Sequence, residues 1–338
     1  MKLKKMLYRR LGKSDLKASV IGLGTGQFGA RAWGYGVKYN DDDIMILIRT
    51  AIEHGINVFD TAETYGDGIS ETLLGKALKD YDRDDFVVIT KVAPWNLRYK
   101  NVIKAAERSL KRLGLKTIDL YLIHYPNPLI PIRETFRALE DLVKIGKVRY
   151  IGVSNFGKKL LEKAQNNLSS EAIVANEIEY NILSRRAEID TIPYCKVQNI
   201  AIIAYSPLAG GILTGRYSIF NPPRDRARAF NFYAKRGFLK KTETLFRVLR
   251  ELAENKGASI SQIALSFIIH DPAFIAIPAA LSQEQVIENA DSHKIVLTQE
   301  ETSKIRESAP TIDIGAYLFD NYIIRPISWT KATVKHLI

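Results

Sequence analysis

Two kinds of apolar pattern alternate along this chain. Short, nearly continuous apolar runs are separated by longer segments whose apolar residues recur at helical spacing. Short runs bounded by turn residues predict strands buried on both faces, as in a parallel sheet covered by helices. The first is Val20-Ile-Gly-Leu-Gly-Thr25, followed by a helix in which Asp41-Asp42-Asp43 caps Ile44, Leu47, Ile48, Ala51 and Ile52. Strands ending at Asp60, Lys91, His124 and Ser154 come next, alternating with helices over 70–78, 102–113, 131–145 and from Lys158. Gly114 and Gly146 read as left-handed closing residues of two of these helices. Strands at 172–180 and 200–206 flank a helix near 188–197, and helices over 244–255 and 261–270 lead to an eighth strand at 274–278 and a helix through Asn289. Eight strand–helix units without a linker predict one α/β domain, a (β/α)8 TIM barrel over about 18–300, with right-handed crossovers. Long rim loops are expected, above all at 207–240, together with a C-terminal tail at 311–338 carrying Tyr317, Phe319, Tyr322 and Trp329.

The regular spacing has a chemical consequence. Asp60, Lys91, His124 and the pair Ser154-Asn155 each close a strand, and the successive intervals from Asp60 to Ser154 are 31, 33 and 30 residues. In a parallel barrel this places all of them at the C-terminal rim, where such folds keep their chemistry. An acid, a lysine and a histidine converging there predict an enzyme.

Composition narrows the context. The chain is 46% hydrophobic and 25% charged, no apolar stretch approaches a membrane span, and no signal core follows the basic start. The single cysteine, Cys195, excludes an intramolecular disulfide and a cysteine metal cluster; a packed helix residue in a reducing cytoplasm fits it, and no metal site is expected. A net charge of +12 is spread over Arg9-Arg10, Lys111-Arg112, Arg185-Arg186, Arg224/Arg226/Arg228 and Lys240-Lys241. A nucleic-acid binder would gather such residues on one face, so a solvated surface, or attraction of an anionic cofactor or substrate, is the reading.

Gly24-Thr-Gly26-Gln-Phe-Gly29 matches the dinucleotide fingerprint, but that motif must open a helix, and Trp33-Gly-Tyr-Gly36 follows instead. A different set of motifs is more specific. Phe59-Asp60-Thr-Ala-Glu-Thr-Tyr65-Gly, Ile89-Thr-Lys91, Leu122-Ile-His124-Tyr-Pro, Gly152-Val-Ser154-Asn155-Phe and Ala204-Tyr205-Ser206-Pro207-Leu208-Ala-Gly-Gly, in that order, resemble the aldo-keto reductases. The resemblance runs from about residue 8 to residue 300 and leaves the tail uncovered.

The resemblance implies a catalytic tetrad of Asp60, Tyr65, Lys91 and His124. The chemistry is consistent with it. Carbonyl reduction needs a hydride donor and a proton donor near the oxygen, and a free phenol is a poor acid at neutral pH. A lysine cation beside Tyr65 is expected to lower its pKa, Asp60 to keep Lys91 charged and aimed, and His124 to donate to the substrate oxygen. Taken singly, Asp60 with Lys91 could be only a barrel salt bridge, and His124 a satisfied loop histidine; these are the lesser readings. A Schiff-base lysine is a further alternative, but it wants a neutral amine, which Asp60 opposes.

The resemblance also implies a nicotinamide cofactor, NADP first and NAD second. Ser154 and Asn155 would bond the carboxamide, Tyr205 would stack on the ring, and Ser206, Pro207, Leu208, Gly210 and Gly211 would line the pyrophosphate. Gly24 and Thr25 join this set, and Gln285, Glu288 and Asn289 match the adenosine-binding segment. Two departures matter. The usual clamp for the 2′-phosphate is replaced by Ala279-Ala280 and Gln285, leaving Arg216 or the arginines at 224–228 to supply charge. Glu177 stands where the family has a glutamine on the nicotinamide; an unpaired carboxylate would favour the oxidised ring, whereas one paired to a local lysine or arginine would not. Trp33, Trp95 and Tyr125, with Phe156, Phe230 and Phe232, are expected to line an apolar pocket for a small carbonyl substrate. A nicotinamide-binding, redox-sensing regulatory subunit, like the potassium-channel β-subunits of this fold, is the alternative. Nothing fixes an oligomeric state, and neither nucleic acid nor membrane is expected as a partner.

Overall fold

The structure, a computed structural model, describes residues 5–310 apart from 225–227 and 229–230. Arg226, Phe230 and the tail 311–338 therefore lie outside the described residues. The described residues form ten strands: β1 (Tyr8–Arg10), β2 (Lys17–Ser19), β3 (Leu23–Gly24), β4 (Val58–Asp60), β5 (Val87–Val92), β6 (Ile118–Ile123), β7 (Val148–Ser154), β8 (Ile173–Glu179), β9 (Ala201–Tyr205) and β10 (Phe274–Ala276). Strands β3 to β10 pair in chain order and in parallel. The sheet closes on itself where Ile21 bridges Ala276; Gly22 N donates to Ala276 O (2.8 Å) and Ala276 N to Val20 O (2.9 Å). Eight parallel strands closed in this way, with helices between them, form the expected (β/α)8 barrel.

β5 and β6 are buried at every position, which explains their unbroken apolar character. Residues pointing outward pack under the helices, while Val58, Ile89, Leu122, Ile203 and Ile275 fill the barrel interior. Leu11 and Leu16 join that interior cluster from the turn of the antiparallel β1–β2 hairpin, which plugs the N-terminal end of the barrel. Gly12 in this turn has φ +53, and a Cβ there would lie 2.2 Å from Val174 O, so the hairpin sits directly on β8. The Arg9 guanidinium fastens it further, donating to the carbonyls of Ile269, Asp271 and Phe274.

Several details differ from the sequence expectation. The hairpin was not anticipated, nor was the helix Gln299–Ser308, which buries only Thr302 and Ile305. Asn40, not the aspartates, caps the first helix: its side chain accepts from Asp42 N and Asp43 N, and Asp43 returns a bond to Asn40 N. The long segment after β9 contains the turns Ala209–Thr214 and Phe232–Ala234 and the helix Arg236–Lys241. Phe156 is a core residue, not a rim aromatic. No helix among the described residues is long and apolar enough to cross a membrane.

Candidate active site

β4, β5, β6 and β8 bring Asp60, Lys91, His124 and Glu177 together at the C-terminal rim, and all four are buried. An ammonium has three hydrogens to place. Lys91 Nζ lies 2.6 Å from Asp60 Oδ2, 3.0 Å from Thr61 O and 3.3 Å from Glu177 Oε2. The Glu177 contact lacks hydrogen-bond geometry: Oε2 is buried with no hydrogen-bond partner among the described residues. Of the two environments open to Glu177, the structure shows the one paired to a lysine.

Beyond Asp60 the chain runs alongside β5, with Thr61 N on Ile89 O and Glu63 N on Lys91 O, and this carries Tyr65 over the lysine. The path then turns at Gly66 (φ +55), where a Cβ would meet Phe28 O at 2.8 Å, so only glycine fits against the first rim loop. Lys91 Nζ sits 5.2 Å from the Tyr65 ring centre, and the His124 ring meets Tyr65 edge-on with centres 5.6 Å apart.

The electrostatics correct one expectation. Burial pushes the Tyr65 phenol well above its ordinary range; Lys91 opposes this, while Asp60 and Glu177 reinforce it. Lys91 does not bring the phenol down because burial is the larger effect and the two carboxyl groups offset the ammonium. Lys91 itself is held cationic: desolvation disfavours its charge, but Asp60 and Glu177 outweigh that. His124 is shifted far below the usual imidazole range by burial and then by Lys91, so it is neutral at physiological pH. Its Nδ1 lies 3.4 Å from Thr64 Oγ1; if the hydroxyl donates, Nε2 carries the ring hydrogen toward the rim.

One network welds the neighbouring strand ends. Asn155, at φ +64, donates through Nδ2 to His124 O (3.1 Å) and Ser154 Oγ (2.9 Å) and accepts from Tyr205 OH (2.9 Å). Ser154 Oγ donates to Glu177 O. After Tyr205 the backbone is left-handed at Ser206, Ala209, Gly210 and Gly211, with Pro207 and Leu208 between, and Asn181 Nδ2 anchors Ser206 O. Arg228 Nε donates to Gly210 O, and its guanidinium stacks 4.9 Å from the Trp33 ring centre and 5.4 Å from that of Tyr217. A turn of small residues with left-handed backbone beside a fixed guanidinium suits an anionic phosphate group, so the chain fits a dinucleotide here.

The remaining expected residues are spread around this centre. Gly24 and Thr25 serve the barrel itself: a Cβ on Gly24 would meet Ile277 O at 2.7 Å, and the buried Thr25 hydroxyl donates to Asp60 O and contacts Ser70. Gln285 accepts from Leu281 N through Oε1, Asn289 donates to Ala279 O, and the Glu288 carbonyl accepts from Gln262. Arg216, Arg224 and Trp95 are exposed, and Tyr125 stacks on His124 with ring centres 5.2 Å apart. Phe232 packs on Tyr233 and Phe238.

A profile of the aldo/keto reductase family matches residues 20–310. The chain belongs to the aldo-keto reductase family. This aldo-keto reductase is 37% identical over 308 residues to an uncharacterized oxidoreductase of Mycobacterium bovis, covering 90% of this chain and 94% of the relative. It is 34% identical over 327 residues to a putative voltage-gated potassium channel subunit beta of Schizosaccharomyces pombe, covering 90% and 93%. A solved aldo-keto reductase from Klebsiella pneumoniae in complex with NADPH superposes with a TM-score of 0.73 at 31% identity, covering 92% of this chain and 97% of the other.

Sequence reasoning missed the residues that hold this aldo-keto reductase site in place. Thr61 acts through its carbonyl, which no side-chain motif announces. Glu63 fixes the next rim loop, accepting from Ala93 N and Asn96 and pairing with Arg108. Its place inside the Asp60–Tyr65 motif was a usable signal. Asn181, four residues beyond Glu177, anchors the turn after Tyr205 and carries no motif of its own.

Proposed function

We propose that the chain is an NADP-dependent oxidoreductase that reduces aldehydes or ketones to alcohols, with Tyr65 donating the proton. The observation that carries this reading is the stacking of groups at one rim point: a buried Asp60–Lys91 pair beneath Tyr65, and a neutral His124 against the same ring. NADPH, when bound, supplies hydride to the carbonyl carbon. The protein supplies the rest. Neutral His124 orients the carbonyl oxygen as a hydrogen-bond donor, Tyr65 delivers its proton there, and Lys91 stabilises the phenolate left behind. Ser154, Asn155 and Tyr205 hold the nicotinamide, and the 206–211 turn with Arg228 receives the pyrophosphate. Glu177 stands beneath the nicotinamide site, while Arg216, Gln285, Glu288 and Asn289 face the adenosine end. Trp33, Trp95 and Tyr125 border the substrate mouth. NADP is favoured by the Klebsiella relative's complex with NADPH.

The test is NADPH oxidation over a panel of aldehydes and ketones, run beside NADH; turnover of none of them rejects the reading. Very slow turnover with a tightly retained cofactor would instead favour a redox-sensing regulatory subunit, the reading raised by the Schizosaccharomyces pombe relative. Without the lysine–arginine clamp, NADPH should be preferred over NADH by no more than about 150-fold, as expected for a few charge-assisted contacts. Replacing Arg216 and Arg224 by alanine should erase much of that preference. A preference of many thousandfold that survives both changes places the phosphate site elsewhere.

A further inference from the structure

Lys91 is one cation facing two carboxyl groups in a dry site. Asp60 Oδ2 takes the short bond at 2.6 Å, and Glu177 Oε2 stands off at 3.3 Å. Both carboxyl groups are buried and stand around the same ammonium, and two carboxylates that share one cation away from water favour retention of a proton by one of them. Glu177 Oε2 is buried and has no hydrogen-bond partner among the described residues; a proton on it, donated to Asp60, would give it one.

We propose that Asp60 and Glu177 share a single proton around Lys91 at neutral pH, Glu177 being the neutral member and a positioning residue that keeps this cluster uncharged beneath Tyr65. The inference rests on the reductase reading for its kinetic consequence; the shared proton itself rests on the burial of both acids around one ammonium and on the unsatisfied Glu177 Oε2. Burial, then Asp60, hold Glu177 well above the usual carboxylate range, with Lys91 opposing. The pair titrates as a unit, so the retained proton belongs to both acids. Glu177 is assigned most of it because Asp60 has the closer ammonium. The ionisable groups facing the pair are Lys91 on β5, Tyr65 on the loop after β4 and, beyond Lys91, the neutral His124 at the end of β6.

With one proton present, Asp60 and Lys91 cancel and Tyr65 sees no net charge. When the pair loses that proton on the alkaline side, the cluster becomes net negative and opposes formation of the phenolate. Turnover in the reducing direction should therefore fall as pH rises through that ionisation. A glutamine in place of Glu177 keeps the shape and the neutrality and cannot ionise, so Glu177→Gln should lack this alkaline limb. The ratio of its kcat to that of the wild type should be several-fold or more higher at the alkaline end than near neutrality.

The proton itself is read by infrared difference spectroscopy of the full chain without substrate. The wild type minus Glu177→Gln spectrum at neutral pH should show a protonated-carboxyl C=O band that shifts in D₂O. Asp60→Asn removes the sharing partner and leaves Glu177 as the only carboxylate for Lys91, so Glu177 should ionise and the band should vanish there as well. Absence of the band from the wild type, its persistence in Asp60→Asn, or coincident pH profiles for wild type and Glu177→Gln would each overturn the proposal. Failure of every carbonyl substrate with the band intact would count against the reductase reading and leave the shared proton standing.

Discussion

Replacing Tyr65 by phenylalanine is expected to reduce kcat for carbonyl reduction by about 10²–10⁴-fold, the range for removal of a positioned general acid. The hydroxyl is the only group lost. The ring that Lys91 and His124 pack against is retained, so the loop after β4 should keep its path. Dissociation constants for the cofactor should change little, because the phenol acts on substrate. Burial already holds this phenol above its ordinary range. A donor that resists ionisation depends on the field at the moment of transfer, so the loss should lie in kcat and not in KM. Turnover near that of the wild type in this variant would remove Tyr65 from the chemistry.

The second large effect concerns stability. Lys91→Met should destabilise the fold by roughly 3–5 kcal/mol, the usual consequence of removing one partner of a buried ion pair. Methionine fills most of the volume, but Asp60 is then a buried carboxylate with no cation. The sign of the pH dependence follows. Without Lys91 the buried carboxyl groups titrate above their unfolded values, so the folded variant binds more protons than the unfolded chain, and its stability falls as pH rises. The deficit against the wild type should therefore be largest at neutral pH and shrink toward acid pH, where both carboxyl groups are protonated in either state. Denaturant unfolding of both proteins across that range is the measurement. A small, pH-independent deficit would mean that Lys91 is not the counter-charge its position indicates.

How much of this was readable in the sequence varies with the range of the forces involved. β5 and β6 were legible because burial on both faces demands unbroken apolar runs, so a polar residue at the end of each stands out. Asp60, Lys91 and His124 could be placed together for the same reason: strand ends in a parallel barrel share one rim. The β1–β2 hairpin was illegible because its strands, Tyr8-Arg-Arg10 and Lys17-Ala-Ser19, have three residues each, most of them polar. They become strands because Leu11 and Leu16 are buried by residues far along the chain. The helix Gln299–Ser308 has too narrow an apolar stripe to show periodicity, although its capping box at Thr298 and Glu301 was a usable local signal. Glu177 was read as a departure from the family glutamine; its approach to Lys91 depends on side-chain geometry across the barrel and had no sequence counterpart. The Tyr65 phenol went the other way from expectation because counting charges leaves out the cost of removing water.

The seam between β3 and β10 bears on how this chain comes to be folded in a cell. The Val20 carbonyl and Gly22 N find their partner in Ala276, and the Arg9 guanidinium finds its acceptors between Ile269 and Phe274. During synthesis the N-terminal hairpin therefore leaves the ribosome first and waits until nearly the whole barrel has followed. In that interval β3 presents an open, apolar sheet edge, the kind of surface that pairs with other nascent chains. Chaperone dependence and misassembly should accordingly be governed by the time between translation of the first strand and the last.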